Sequence, residues 1–210
     1  MDIVISLAIL LFSAIVHEVS HGLMAEKLGD STARDEGRIT LNPIVHIDPF
    51  GSILLPVLLL LANSPVIFGA AKPVPVNFNN LKNPKRDMAL VSLAGPFSNF
   101  ILAAIFALII RLGLANEIAH DILIQAIVIN ILLGVFNLIP IPPLDGSKIL
   151  ASFAPDRLMH WILSMEQFGF ILVFVFLWSG FFSHIFVPAL LFFWQIFGLP
   201  VADLFSAFGG

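Results

Sequence analysis

The sequence has no cysteine and little charge. Without cysteine there is no disulfide, no thiolate metal site and no thiol nucleophile. Charged residues make up 11% of the 210 residues and hydrophobic residues 59%, whereas a typical soluble domain is about 25% charged and roughly 45–50% apolar. Mean hydropathy is +1.00. A soluble core of this size needs a polar skin, yet long stretches carry no charge, so a soluble enzyme and a disordered chain are excluded. With a net charge of −4 there is no basic face of the kind nucleic acid requires, and no nucleic-acid partner is expected. Residues 1–16 lack the basic start and small-residue cleavage site of a signal peptide. The charged stretch after them continues the same helix, so the opening reads as an uncleaved membrane anchor.

What the chain has instead is long apolar runs. A bilayer core about 30 Å thick takes about 20 apolar helical residues. Segments at about 3–26, 88–112, 121–139 and 158–179 meet that requirement, and a fifth, at about 183–206, is rich in Phe and holds Pro188, which a membrane helix tolerates as a kink. The run at about 53–70 is shorter and contains Pro56 and Pro65. Residues 72–79 read KPVPVNFN. Alternating Val and Pro cannot form a helix and suits an extended edge strand, with an ordinary loop as the other reading. The expected fold class is an all-α polytopic membrane protein with five full transmembrane helices, a re-entrant or interfacial segment at 53–70 and a short β-strand element at 72–79. It forms a single domain over 1–210, with a core at about 3–150 and C-terminal helices at about 158–206. No internal repeat is evident, and nothing fixes an oligomeric state.

Basic residues favour the cytoplasmic side. If 53–70 does not cross, Lys27, Arg34, Arg38, Lys72, Lys82, Lys85, Arg86, Lys148 and Arg157 share one side and Arg111 lies on the other. If it does cross, the asymmetry largely disappears. The first topology is preferred.

The strongest local signal is His17-Glu18-Val19-Ser20-His21. On a helix, positions i and i+4 share a face, so both imidazoles reach one ion while Glu18 reaches a water on it. Two His ligands, a third protein ligand and an open position are the pattern of zinc hydrolysis. Ionisable groups in a membrane helix are costly and functional by default; the alternative is a pair of interfacial histidines snorkelling with Glu18. The candidate third ligand is Asp145, in NLIPIPPLDG at 137–146. Its prolines stop a helix and leave an extended segment able to aim a carboxylate at a neighbour; the alternative is a proline-rich turn in which Asp145 caps the next element. His17, His21 and Asp145 share a membrane side only if 53–70 does not cross, the parity that the charges favour on their own.

His46 reads as a turn residue bonded to backbone rather than an extra ligand. Ser98 and Asn99 either orient Asp145 or Asn137 or pack between helices beside Gly95, and packing is the reading preferred. Glu166 and Gln167 read as snorkelling, and Glu117, His120 and Asp121 as a solvated loop.

Taken together, these motifs resemble the site-2 protease family of intramembrane zinc metalloproteases. The resemblance rests on HEVSH at 17–21, KPVPVN at 72–77, AGPFSN at 94–99 and NLIPIPPLDG at 137–146, and covers about residues 3–150. It implies one catalytic zinc ion on His17, His21 and Asp145, Glu18 as general base, and Asn137 as an oxyanion-stabilising or substrate-orienting residue. It also implies a transmembrane protein substrate cut within the lipid bilayer near the cytoplasmic face, in regulated proteolysis. A substrate helix must unwind to expose its carbonyls, and Pro73, Val74, Pro75, Val76 and Asn77 are the candidate holder of the unwound piece by strand addition. The chain has room for neither a PDZ nor a CBS domain and resembles the compact core alone, most simply in a prokaryotic inner membrane. A membrane zinc-binding or transport protein and a non-proteolytic scaffold for transmembrane helices are the competing readings.

Overall fold

The protein is seen here as a computed structural model that describes residues 3–48, 72–181 and 183–207 together with positions 54 and 61. Helix α1 covers Ile3–Leu28. It ends where Gly29 takes a left-handed φ of 117°, which a residue with a side chain rarely adopts. The Asp30 amide donates back to the Ala25 carbonyl at 2.9 Å and closes the end. One stripe of α1 at four-residue spacing is buried, Ser13, His17, His21 and Ala25, while Val4, Leu7 and Phe12 point outward. That spacing is the ridge along which two helices pack.

A short helix, α2 (Thr32–Asp35), a 3-10 turn at Pro43–His46 and another at Phe78–Asn80 connect α1 to α3 (Pro84–Arg111). Pro84 suits the first turn of α3, where its missing N–H costs nothing. Asp87 accepts the Asn83 amide at 2.8 Å there. The buried face of α3 runs Ser92, Gly95, Asn99, Ala103 and Ala107. Such small residues let helix backbones approach closely in a membrane, and α1 and α4 (Glu117–Leu138) both pack here. Asn116 caps α4, its side chain accepting from the Ala119 amide at 2.8 Å. Beyond the prolines come α5 (Asp145–Phe153), α6 (Asp156–Ser164), a 3-10 stretch at Met165–Phe168, α7 (Gly169–Trp178), α8 (Ser183–Phe197) and α9 (Val201–Ala207). The main apolar core joins Ala103 and Ala107 to Ile124, Ile127, Ile131, Leu190 and Trp194, with Phe100 and Phe193 stacked at 4.6 Å.

Three of the five expected spans emerge as long apolar helices, Val4–Leu28, Pro84–Arg111 and Glu117–Leu138. These make the chain an integral membrane protein. The expected span at 158–179 is not one α-helix: α6, which exposes His160, passes through a 3-10 stretch at Met165–Phe168 into α7, whose ten residues reach only about 15 Å. The expected span at 183–206 ends at Phe197, because Gly198 turns left-handed at φ 64° and Pro200 comes next but one. Its fifteen helical residues span about 22 Å, short of a bilayer core. No strand occurs among the described residues, and 72–77 is extended chain without a ladder. The prolines remove two donors, and the Val74 and Asn77 amides go to the carboxylates of Glu18 and Asp30. The 53–70 segment lies outside the described residues apart from Leu54 and Leu61.

Candidate metal centre

Helix α1 delivers His17 and His21 one turn apart, with ring centroids 4.7 Å apart and planes at 84°. Their Nε2 atoms are 3.1 Å apart, and each lies 3.1 Å from Oδ2 of Asp145. Asp145 opens α5, carried there by extended backbone at Ile139 and Leu144 on either side of the prolines. The two helices meet so closely that a β-carbon on Gly146 would sit 2.5 Å from the Leu138 carbonyl carbon, so glycine after the aspartate is a packing requirement. All three side chains are buried.

The other nitrogen of each ring is engaged. His17 Nδ1 lies 2.7 Å from Asn99 Oδ1, and His21 Nδ1–H donates to the Val91 carbonyl at 2.7 Å. With the ring protons on Nδ1, as an amide oxygen and a carbonyl oxygen there require, both Nε2 lone pairs turn toward the Asp145 carboxylate. Three acceptor atoms facing one point repel unless a cation lies between them. Zinc bonds of about 2.0–2.2 Å put neighbouring ligand atoms about 3.3 Å apart, close to the spacing present, so the residues fit a metal ion. Outer hydrogen bonds to the far ring nitrogen are the usual support of a histidine ligand.

Room for an ion comes from Gly95 on α3. A β-carbon there would overlap His21 Nε2 and stand 2.6 Å from His17 Nε2. The other Asp145 oxygen, Oδ1, is faced at 4.0 Å by Lys148, which also lies 3.8 Å from Glu166.

A family model described as peptidase family M50 matches residues 112–179. YwhC of Bacillus subtilis is 39% identical over 193 residues, covering 86% of this chain and 83% of its own. The chain belongs to peptidase family M50, the site-2 protease family. Rip2 of Mycolicibacterium smegmatis is 30% identical over 174 residues, covering 80% of this chain and 64% of its own. Zinc metalloprotease MJ0392 of Methanocaldococcus jannaschii is 28% identical over 152 residues, covering 72% of this chain and 35% of its own. No solved structure matches. The M50 match includes Asp145 but not His17 and His21; the relatives' alignments extend over far more of the chain.

Of the remaining M50 candidates, Glu18 is half-buried and its Oε2 accepts the Val74 amide at 2.8 Å. Asn137 Nδ2 donates to the Leu133 carbonyl one turn back at 2.9 Å. The 73–77 segment is pinned along its length. Arg38, itself buried, donates to the Lys72 and Pro73 carbonyls at 2.9 and 3.2 Å. The Lys72 amide reaches the His46 carbonyl at 2.8 Å, and the Asn77 amide reaches Asp30 at 2.7 Å. Burial of Asp30 opposes its ionisation, but hydrogen bonds from Thr32, Asn80 and Asn77 outweigh it and hold the carboxyl below the usual carboxylate value. His46 is fully buried with Nε2 2.8 Å from the Thr40 carbonyl, a turn residue bonded to backbone.

Sequence reasoning missed the supporting shell. Asn99 orients His17 rather than Asp145 or Asn137, and Asn130, its partner on α4, belongs to none of the sequence motifs. The available signal was an amide in the middle of each apolar helix, expensive in lipid without a partner.

Proposed function

We propose that the protein is a zinc endopeptidase that cuts peptide bonds of transmembrane proteins within the bilayer, in regulated intramembrane proteolysis. The observation that carries this reading is the buried His17–His21–Asp145 triangle with Glu18 next to it on a membrane-length helix. The zinc-metalloprotease names of the relatives point the same way.

When bound, zinc polarises the scissile carbonyl and acidifies water. His17, His21 and Asp145 would hold it. Glu18 accepts the proton of the attacking water and passes it to the leaving amine. Asn137, on the turn that ends α4, would swing from its own helix to donate to the oxyanion. The extended 73–77 segment lies against Glu18 and would align the unwound stretch of substrate. The polar loop and nearly all the basic residues belong at the cytoplasmic face, with Arg111 opposite, and water enters from the former side.

Purified protein in liposomes should cleave a model single-span substrate. A chelator should stop it and zinc should restore it. Zinc flux without cleavage of any such substrate would instead establish a transporter. Single cysteines at Glu36 and Phe153 should label from one side and a cysteine at Leu114 from the other; labelling of the first two from opposite sides would refute the topology.

A further inference from the structure

We infer that Asn130 is a positioning residue for His17: acting through Asn99, it fixes the imidazole proton on Nδ1 and so leaves Nε2 free for the metal. This rests on His17 being a ligand, as in the proposed function. Ser13, Asn99 and Asn130 are completely buried, yet they come from three different helices of an apolar bundle. A primary amide presents an oxygen on one side and an NH2 on the other, and either face fits the same space. Asn99 would therefore be as ready to donate to His17 as to accept from it, which would put the ring proton on Nε2 and abolish the ligand.

The surrounding bonds remove that ambiguity. Asn130 Nδ2 donates to the Ala126 carbonyl at 2.8 Å and to Ser13 Oγ at 2.9 Å. A backbone carbonyl can only accept, so the Asn130 amide cannot be reversed without burying an unpaired dipole. Asn130 Oδ1 thus faces Asn99 and accepts from its Nδ2 at 3.0 Å, and the Ser13 carbonyl lies 3.3 Å from the same Nδ2. With the NH2 of Asn99 turned toward two acceptors, its Oδ1 must face His17 Nδ1, and the ring must donate at 2.7 Å. Polarity is set at the acceptor-only Ala126 carbonyl and passed to the metal site through two amides, with the Ser13 carbonyl a longer second acceptor for Asn99.

The test is zinc affinity by chelator competition, together with 15N NMR of the imidazoles in metal-free protein. In the wild type His17 should carry its proton on Nδ1. Asn130→Leu, close in volume but without the amide, should admit the Nε2–H form and weaken zinc by about 10–100-fold, the usual effect of losing an outer-shell partner. Asn99→Asp should restore much of the affinity in that background, since a carboxylate accepts from Nδ1–H on either oxygen and needs no orienting. Wild-type zinc affinity in a folded Asn130→Leu protein, or no rescue by Asn99→Asp, would overturn the inference. So would an Nε2–H His17 in the wild type, a readout available even if the variant does not fold. None of these measurements uses proteolysis, so a failure of the protease reading registers separately.

Discussion

Glu18 and Val74, 56 residues apart, are joined by a 2.8 Å hydrogen bond from the Val74 amide to the Glu18 carboxylate. The side chain that follows His17 and the extended segment proposed to receive substrate therefore form one unit. Because Pro73 and Pro75 carry no N–H and the Val74 amide is taken by Glu18, the segment is poor in donors. Strand addition there would rest largely on its carbonyls.

Arg38 anchors the start of that unit through the Lys72 and Pro73 carbonyls. Arg38→Ala should free the segment and lower kcat/KM on a membrane substrate by about 10-fold or more, the scale on which lost positioning acts. Zinc content should stay unchanged, because no ligand touches Arg38. Loss of zinc in this variant would show that the segment supports the metal rather than the substrate.

Glu18→Gln retains the size and a hydrogen-bonding oxygen for Val74 but cannot take a proton. Cleavage should fall by about 10²–10⁴-fold, the usual worth of a general base, with zinc affinity close to wild type. Zinc analysis and single-turnover cleavage of the same preparation check both halves.

Gly95→Ala should abolish metal binding, since the new methyl would stand 2.6 Å from His17 Nε2. Asp145→Ala should abolish it for the opposite reason, a missing ligand. Zinc titration separates these from misfolding if helix content by circular dichroism is retained. Stoichiometric zinc in Gly95→Ala would mean that the ion sits on another side of the triangle.

The Asp30 carboxyl gathers Thr32, Asn77 and Asn80. Its folded pKa lies below the unfolded value of 3.8, so its contribution to stability is present above that value and is lost as pH falls through the folded pKa. Asp30→Asn should remove this contribution at neutral pH. The variant should also show a flatter acid limb than wild type in a plot of melting temperature against pH. Parallel acid limbs would contradict the assignment.

Much of the site was readable along the chain because it depends on local geometry. Helix periodicity alone puts His17 beside His21, and hydropathy alone marks the three spans that emerge as long helices. Asp145 stood out because its prolines force a break just before a carboxylate. The last two expected spans do not emerge as single long helices among the described residues, for a local reason too. A hydropathy window counts apolar residues and overlooks both Gly198 and the 3-10 stretch at Met165–Phe168 that interrupts the run from 158.

The sequence by itself determined the membrane setting, the pair of histidines and the chemistry they can carry, since each is written within one helical turn or one apolar run. Only the tertiary structure decided which acceptor meets each Nδ1, that Gly95 leaves the space between the ligands, and that Val74 and Arg38 tie the extended segment to Glu18. Those are contacts between residues tens of positions apart, and they exist only once helices α1, α3 and α4 have packed. No periodicity or propensity encodes which face of one helix will meet which atom of another.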